Sequence, residues 1–162
     1  MIVVRDLRHD DDLVRLGDIV RDAYLNIPDY PPDPDYDVTL DRVGERAAEA
    51  RIVVAELDGE PVGCLTFVDD PTSHLFEYPD RDLVCIRMFG VDGSRQGSGV
   101  GRTMLQWCID ETGRLGRAGI GLHTIAQMTS AIRLYERHGF VRKPQYDEEF
   151  YGAIGLAYEL RF

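Results

Sequence analysis

Two residue types are scarce in this 162-residue chain: cysteine, with three copies, and lysine, with one. Cys64, Cys85 and Cys108 are odd in number and widely spaced. With no CxxC pair and no histidine at a zinc-finger interval, neither a disulfide framework nor a zinc site is expected. The expectation is three buried or half-buried thiols in a reducing, cytoplasmic setting. Lys143 stands against 17 arginines, which reads as compositional bias rather than mechanism. The 18 basic residues face 29 acidic ones, for a net charge of -11. A surface this acidic repels phosphate backbones and anionic headgroups. Nucleic acid and membrane are therefore not expected as partners, and a cationic ligand suits it better. No apolar run approaches the roughly 20 residues of a membrane span. The opening MIVVRDLRHD lacks the basic region and long apolar stretch of a signal peptide.

What is present is ordinary for a globular chain: 44% hydrophobic and 29% charged residues. A chain near this length buries roughly 68–70% of the surface its unfolded form exposes, so a core without staples is expected in a single domain over residues 1–162. Residues 2–6 read as a strand. Asp10, Asp11 and Asp12 then supply a cap for a helix carrying Leu13, Leu16, Ile19, Val20 and Ala23 at helical spacing. Residues 24–38 hold four prolines, which forbid a long helix, with Tyr24, Tyr30, Tyr36, Asp29, Asp33, Asp35 and Asp37. Thr39 is expected to cap a second helix running to about Ala50 through Leu40, Val43 and Ala47. Residues 51–57 and 62–68 read as strands around a hairpin turn at Asp58-Gly59-Glu60-Pro61. A loop is expected over 71–80 and strands over 83–91, 120–125, from 140 and over 153–160. Two further helices follow the Gly-rich segment 93–101 and cover 130–138. Strand and helix interleave, so the class is mixed α/β.

The strongest local signal is Gln96-Gly97-Ser98-Gly99-Val100-Gly101-Arg102-Thr103, between an apolar strand and a helix with an apolar face. Glycines let the backbone turn tightly, and the freed amides of a helix start, with the helix dipole, make an anion site suited to a pyrophosphate. Arg95 and Arg102 add cationic contacts. Known phosphate motifs fail on detail. A P-loop needs Gly where Gln96 stands and Lys where Arg102 stands, and a Rossmann turn would follow the first strand.

Gln96-x-x-Gly99-x-Gly101, preceded by Ile86-Arg87-Met88-Phe89-Gly90-Val91-Asp92, resembles the acetyl-coenzyme A binding motif of the GCN5-related N-acetyltransferases, the GNAT family. About 30 residues on, Ala131-Ile132-Arg133-Leu134-Tyr135-Glu136-Arg137-His138-Gly139-Phe140 is similar to the family's A-x-x-L-Y-E-x-x-G-F hallmark. The resemblance implies a twisted mixed sheet of six to seven strands flanked by about four helices, with two splayed parallel strands at the centre. Those strands would be 83–91 and 120–125, with the pantetheine arm of acetyl-CoA between them. It implies that the backbone of Phe89, Gly90 and Val91 meets the pantetheine, that Gln96, Gly97, Ser98, Gly99, Val100, Gly101 and Arg102 hold the pyrophosphate, and that Tyr135 sits near the sulfur. Family members are often homodimers. Two positions depart from the family pattern. Met128 stands where many members carry Asn, and Cys85 stands where many carry Glu.

The implied reaction is direct attack of a primary amine, of a small molecule or a peptide, on the acetyl thioester in a ternary complex. An alkylammonium of pKa near ~10.4 must lose a proton, at a cost of about 4–5 kcal/mol at pH 7. Tyr135 is the candidate acid for the departing thiolate, against a bland reading as a packing residue beside Leu134. His123 is the first candidate base, with Glu77, Asp82 and Cys85 behind it. His9, His74 and His138 read as surface residues. Tyr24, Tyr30 and Tyr36, with the neighbouring aspartates, form a candidate site for a cationic acceptor, the alternative being a solvated loop. Two further readings stay open: a non-catalytic acyl-CoA binding or sensing module on the same fold, and a nucleotide binder with a degenerate P-loop.

Overall fold

The computed structural model describes residues 1–150 and 152–162, and of Phe150 the backbone alone. Along the chain come β1 (Ile2–Asp6), α1 (Leu13–Leu25), α2 (Pro34–Asp37), α3 (Val43–Ala47), β2 (Arg51–Leu57) and β3 (Glu60–Val68). The second half holds β4 (Val84–Val91), α4 (Val100–Arg114), β5 (Gly119–Thr124), α5 (Thr129–Arg137), β6 (Val141–Arg142), β7 (Glu148–Phe150) and β8 (Ala153–Arg161). The sheet runs β1-β2-β3-β4-β5-β8-β6, with β7 on β8, and all neighbours are antiparallel except β4 and β5. The expected mixed α/β architecture is present, with eight strands and five helices among the described residues.

Strand alternation puts two cores on the two sheet faces. Val53, Ala55, Leu65 and Phe67 pack under Met104, Leu105 and Cys108 of α4. Ile52, Val54 and Cys64 pack under Leu16 and Val20 of α1 and Val43 of α3. Covered on both faces, residues 62–68 of β3 are buried without a break. All three cysteines are buried and free, as expected. Asp12 caps α1 by accepting from the Arg15 amide at 3.0 Å. No helix among the described residues is long and apolar enough to cross a membrane.

The continuous helix expected over 39–50 is not formed. Asp33 caps the short α2, with Pro34 at a first-turn position where its missing N–H is no loss. Thr39 donates its hydroxyl to the Tyr36 carbonyl at 2.6 Å instead of capping a helix. The reason is Arg46, buried at 5% exposure. Its guanidinium takes the carbonyls of Thr39 at 2.7 Å and Leu40 at 3.0 Å and the Thr66 hydroxyl at 3.1 Å, and a helix starting at 39 would claim those carbonyls for its own amides.

Two features of β4 open the centre of the sheet. It pairs with β5 only at Val84–Ile120 and Cys85–Gly121, although both strands run on well past these residues. It also carries a bulge opposite Leu65, where the register against β3 slips and Met88 adopts φ 49°. A cleft therefore opens between the C-terminal halves of two parallel strands.

Candidate active site

At one end of the cleft, residues 93–99 turn over the surface into α4. Gly97 (φ 82°) and Gly99 (φ 90°) hold left-handed conformations that side chains rarely adopt, and Gly99 is the residue from which α4 starts. The amides of Val100, Gly101 and Arg102 find no acceptor among the described residues, and the first turn holds no acid. Arg95 and Arg102 are exposed and pair with no carboxylate among the described residues. Open amides, a helix N-terminus and two available cations fit a diphosphate. Gln96 and Ser98 lie in the same exposed turn, and Ser98 donates its hydroxyl to the Arg95 carbonyl. Gly90 has a packing task of its own: a Cβ there would stand 2.8 Å from Val20 Cα of α1.

Deeper in the cleft, a space of about 50 Å³ is bounded by Ile86, Met88 and Phe89 of β4, His123 and Thr124 of β5, and Ala131 and Tyr135 of α5. Gly90 and Val91 lie outside its lining. Tyr135 is 6% exposed and packs at 5.5 Å against the Phe140 ring. Burial pushes its phenol pKa up, so the proton stays on at neutral pH. Met128 accepts from the Thr124 hydroxyl through its sulfur at 3.4 Å.

This space shares Tyr24, Tyr36, Glu77, Arg87, His123, Thr124 and Met128 with a larger cavity of about 160 Å³ that also touches Tyr30, Pro31, Asp33 and Ile125. The three tyrosines read from the sequence thus line one wall. Tyr30 donates to Asp37 at 2.6 Å and meets the Tyr24 ring edge-on at 6.5 Å. Asp33 lines the cavity as well, while Asp29 and Asp35 lie outside it.

The floor is Glu77 and Arg87, with Arg87 Nε 3.1 Å from Glu77 Oε2. Burial pushes the Glu77 carboxyl above its ordinary value, against the opposing pull of Arg87 and His123. His123 Nε2 lies 2.8 Å from the Tyr146 carbonyl, so that nitrogen carries the proton, and its enclosed Nδ1, with no partner among the described residues, is left as an acceptor. Cys85 is fully buried beside Tyr78 and Leu83, outside both cavities, and burial pushes its thiol to about 12. Asp82 is exposed and also outside them. Of the side chains weighed as bases, the cavity gathers Glu77 and His123. His9 and His74 are exposed, and His138 is half-buried with Nδ1 2.8 Å from the Leu134 carbonyl.

The loop that carries Glu77 is fastened down. The Arg117 guanidinium takes the carbonyls of Asp69, Arg81 at 2.7 Å and Leu83 at 2.8 Å. Tyr78, next to Glu77, lies over Gly121 of β5, where any Cβ would run into its ring. Arg87 was missed in the sequence. Its signal was there, as the one charge inside the buried strand VCIRMFGV.

Comparison with known proteins agrees with this geometry. PH1933 from Pyrococcus horikoshii is 25% identical over 100% of this chain and 99% of its own, with a TM-score of 0.74. YncA from Salmonella typhimurium, solved with its cofactor acetyl-CoA, is 23% identical over 99% of this chain and 93% of its own, with a TM-score of 0.68. A GNAT-family acetyltransferase from Staphylococcus aureus is 16% identical over 99% of both chains, with a TM-score of 0.74. No functionally curated protein matches by sequence. The family model described as "Acetyltransferase (GNAT) family" matches residues 14–140. The family's cofactor is acetyl-CoA and its acceptors are amines, and this chain, with its glycine cradle, split strands and Tyr135 helix, belongs to the GNAT acetyltransferases.

Proposed function

We propose that residues 1–162 form a single N-acetyltransferase domain that moves an acetyl group from acetyl-CoA to a primary amine by direct attack in a ternary complex. One observation carries the reading: the tyrosine-walled cavity and the space between the split strands share Glu77, Arg87 and His123, and Tyr135 lines the deeper of the two. Acetyl-CoA, when bound, supplies the thioester carbonyl that a neutral amine attacks. The amides of residues 100–102, with Arg95 and Arg102, hold the diphosphate, and the β4 backbone at Phe89, Gly90 and Val91 faces the pantetheine.

Glu77 takes the ammonium proton. Burial raises its carboxyl pKa above the ordinary value, which narrows the gap between this base and an alkylammonium of ~10.4. His123 Nδ1 accepts a hydrogen bond from the amine or from a water beside it. A main-chain amide of β4 near Phe89 stabilises negative charge on the carbonyl oxygen. Tyr135 gives its Oη proton to the departing sulfur, because its buried phenol still holds that proton at neutral pH when the thiolate forms beside it. The carboxylate that many relatives carry at position 85 comes here from the neighbouring loop. Cys85 and Arg87 share one face of β4, and Glu77 pairs with Arg87.

The test is to incubate the purified protein with acetyl-CoA and a panel of primary amines, following free thiol and acetylated product by mass spectrometry. New N-acetyl product with coenzyme A released in equal amount is expected. Tight acetyl-CoA binding with no product from any amine would turn the reading to a binding or sensing module.

A further inference from the structure

Of the chain's 17 arginines, Arg87 alone lines the acceptor cavity among the described residues. A charge inside an apolar strand has to be compensated, and Glu77 does so from one side. Glu77 occupies the Nε edge at 3.1 Å, and Nη1 donates to the Leu75 carbonyl at 3.3 Å. A guanidinium has five N–H donors. No carboxylate or carbonyl takes those on Nη2 among the described residues, and the Tyr36 phenol is the one further polar group that meets the guanidinium.

The same cavity holds groups of the opposite kind. Among the described residues, His123 Nδ1 is an enclosed acceptor with no partner, and Glu77 is a carboxylate whose second oxygen takes no hydrogen bond. Asp33 is partly committed, because its Oδ1 accepts from the Tyr36 amide at 3.2 Å. One small cavity therefore offers an N–H acceptor, a carboxylate and a forked cation together. A guanidinium edge suits a planar carboxylate in two-point contact. A purely cationic amine would face Arg87 charge against charge, and the strongly acidic exterior would repel an acid unless an internal cation received it.

We propose that the acceptor is a zwitterion of amino-acid size, a primary amine with a carboxylate close by, whose carboxylate is received by Arg87 and whose apolar side chain lies among Tyr24, Tyr30, Tyr36 and Met128. The proposal rests on the N-acetyltransferase reading and narrows the cationic acceptor expected from net charge. The amine nitrogen bonds to the acetyl carbonyl carbon and the carbon–sulfur bond breaks. The nitrogen gives up two protons, one to Glu77 and one that restores Tyr135 after it protonates the sulfur. The carboxylate and Arg87 leave the cycle unchanged.

Matched acceptors test this on the unaltered protein: leucine, leucinamide and isoamylamine, then methionine, methioninamide and 3-(methylthio)propylamine. The amino acids are expected to exceed their amides and decarboxylated amines at least tenfold in kcat/KM. Equal or better turnover of the decarboxylated amines overturns the proposal while leaving N-acetyl transfer intact. Absence of acetylation across these sets and a wider amine panel, with acetyl-CoA still bound, overturns the parent reading and this one with it. Arg87→Met should bring the ratio of amino acid to amine close to one, and Arg87→Lys should restore part of it. An unchanged ratio in Arg87→Met, with acetyl-CoA affinity retained as proof of folding, also overturns the proposal.

Discussion

The two ends proposed for donor and acceptor are made of different material. The donor end is main chain: three open amides at the start of α4 and two glycines in left-handed conformations, on an exposed turn. The acceptor end is side chain: three tyrosines, Glu77, Arg87 and His123, drawn from two helices, two loops and two strands, around one cavity. A backbone cradle recognises what every cofactor molecule shares and tolerates side-chain change. A wall of side chains sets which acceptor enters, and each member matters singly. Perturbed ionisation follows the same division, because desolvation shifts Glu77 and Tyr135 while no acid stands in the first turn of α4.

The sharpest way to break this contrast is Glu77→Gln. Loss of the proton acceptor should lower kcat by roughly 10²–10⁴ with acetyl-CoA affinity unchanged. A fall of less than tenfold would move the base elsewhere. The pH profile sharpens the point. Glu77 must be ionised to act, and burial raises its pKa, so kcat/KM should climb with pH on a limb above the ordinary carboxylate range. Arg87, His123 and Glu148 face it and modulate that limb. The variant should lose it.

At the donor end, Gly99→Val forces a β-branched residue into φ 90°. Strain of about 1–3 kcal/mol should raise the acetyl-CoA Kd by roughly 5- to 150-fold, read by titration calorimetry, with kcat at saturation nearly intact. Tyr135→Phe should do the reverse on a smaller scale, lowering kcat roughly tenfold with Kd unmoved. Equal kcat would remove Tyr135 from the acid role.

The smallest effect lies outside both ends. Arg51 at 2.7 Å and Arg114 at 2.6 Å hold the Glu111 carboxyl down to about 2. A depressed acid stabilises the fold above its unfolded pKa and ceases to as pH falls through the folded one. Glu111→Gln should thus lower Tm by a few degrees at pH 7, with the gap closing between pH 4.5 and about 2 and kcat unaffected. A change in kcat would mean that the cleft and this cluster are coupled.

The two ends were also unequally legible. A left-handed turn leaves a letter in the sequence, so Gly97 and Gly99 announce the cradle, and the ordered pair of motifs announces the split strands. The tyrosines of 24–38 were legible as a cluster because prolines mark that segment as a loop. Glu77 carried no such mark. Its position depends on Arg117, some 40 residues away, clasping both ends of its loop, and no local pattern reports that. The helix expected from Thr39 failed for the same reason, since a buried guanidinium from Arg46 overrode a sound capping signal. β7 escaped notice because three residues pairing with β8 show no period of their own.

Tyr78 sits flush on the bare backbone of Gly121, one residue from Glu77. The peptide that presents the carboxylate is thereby rooted in the middle of the sheet. Its ordering is complete before any ligand arrives, as part of folding itself. On the proposed reading, an incoming amine meets a carboxylate whose loop is already anchored to the sheet.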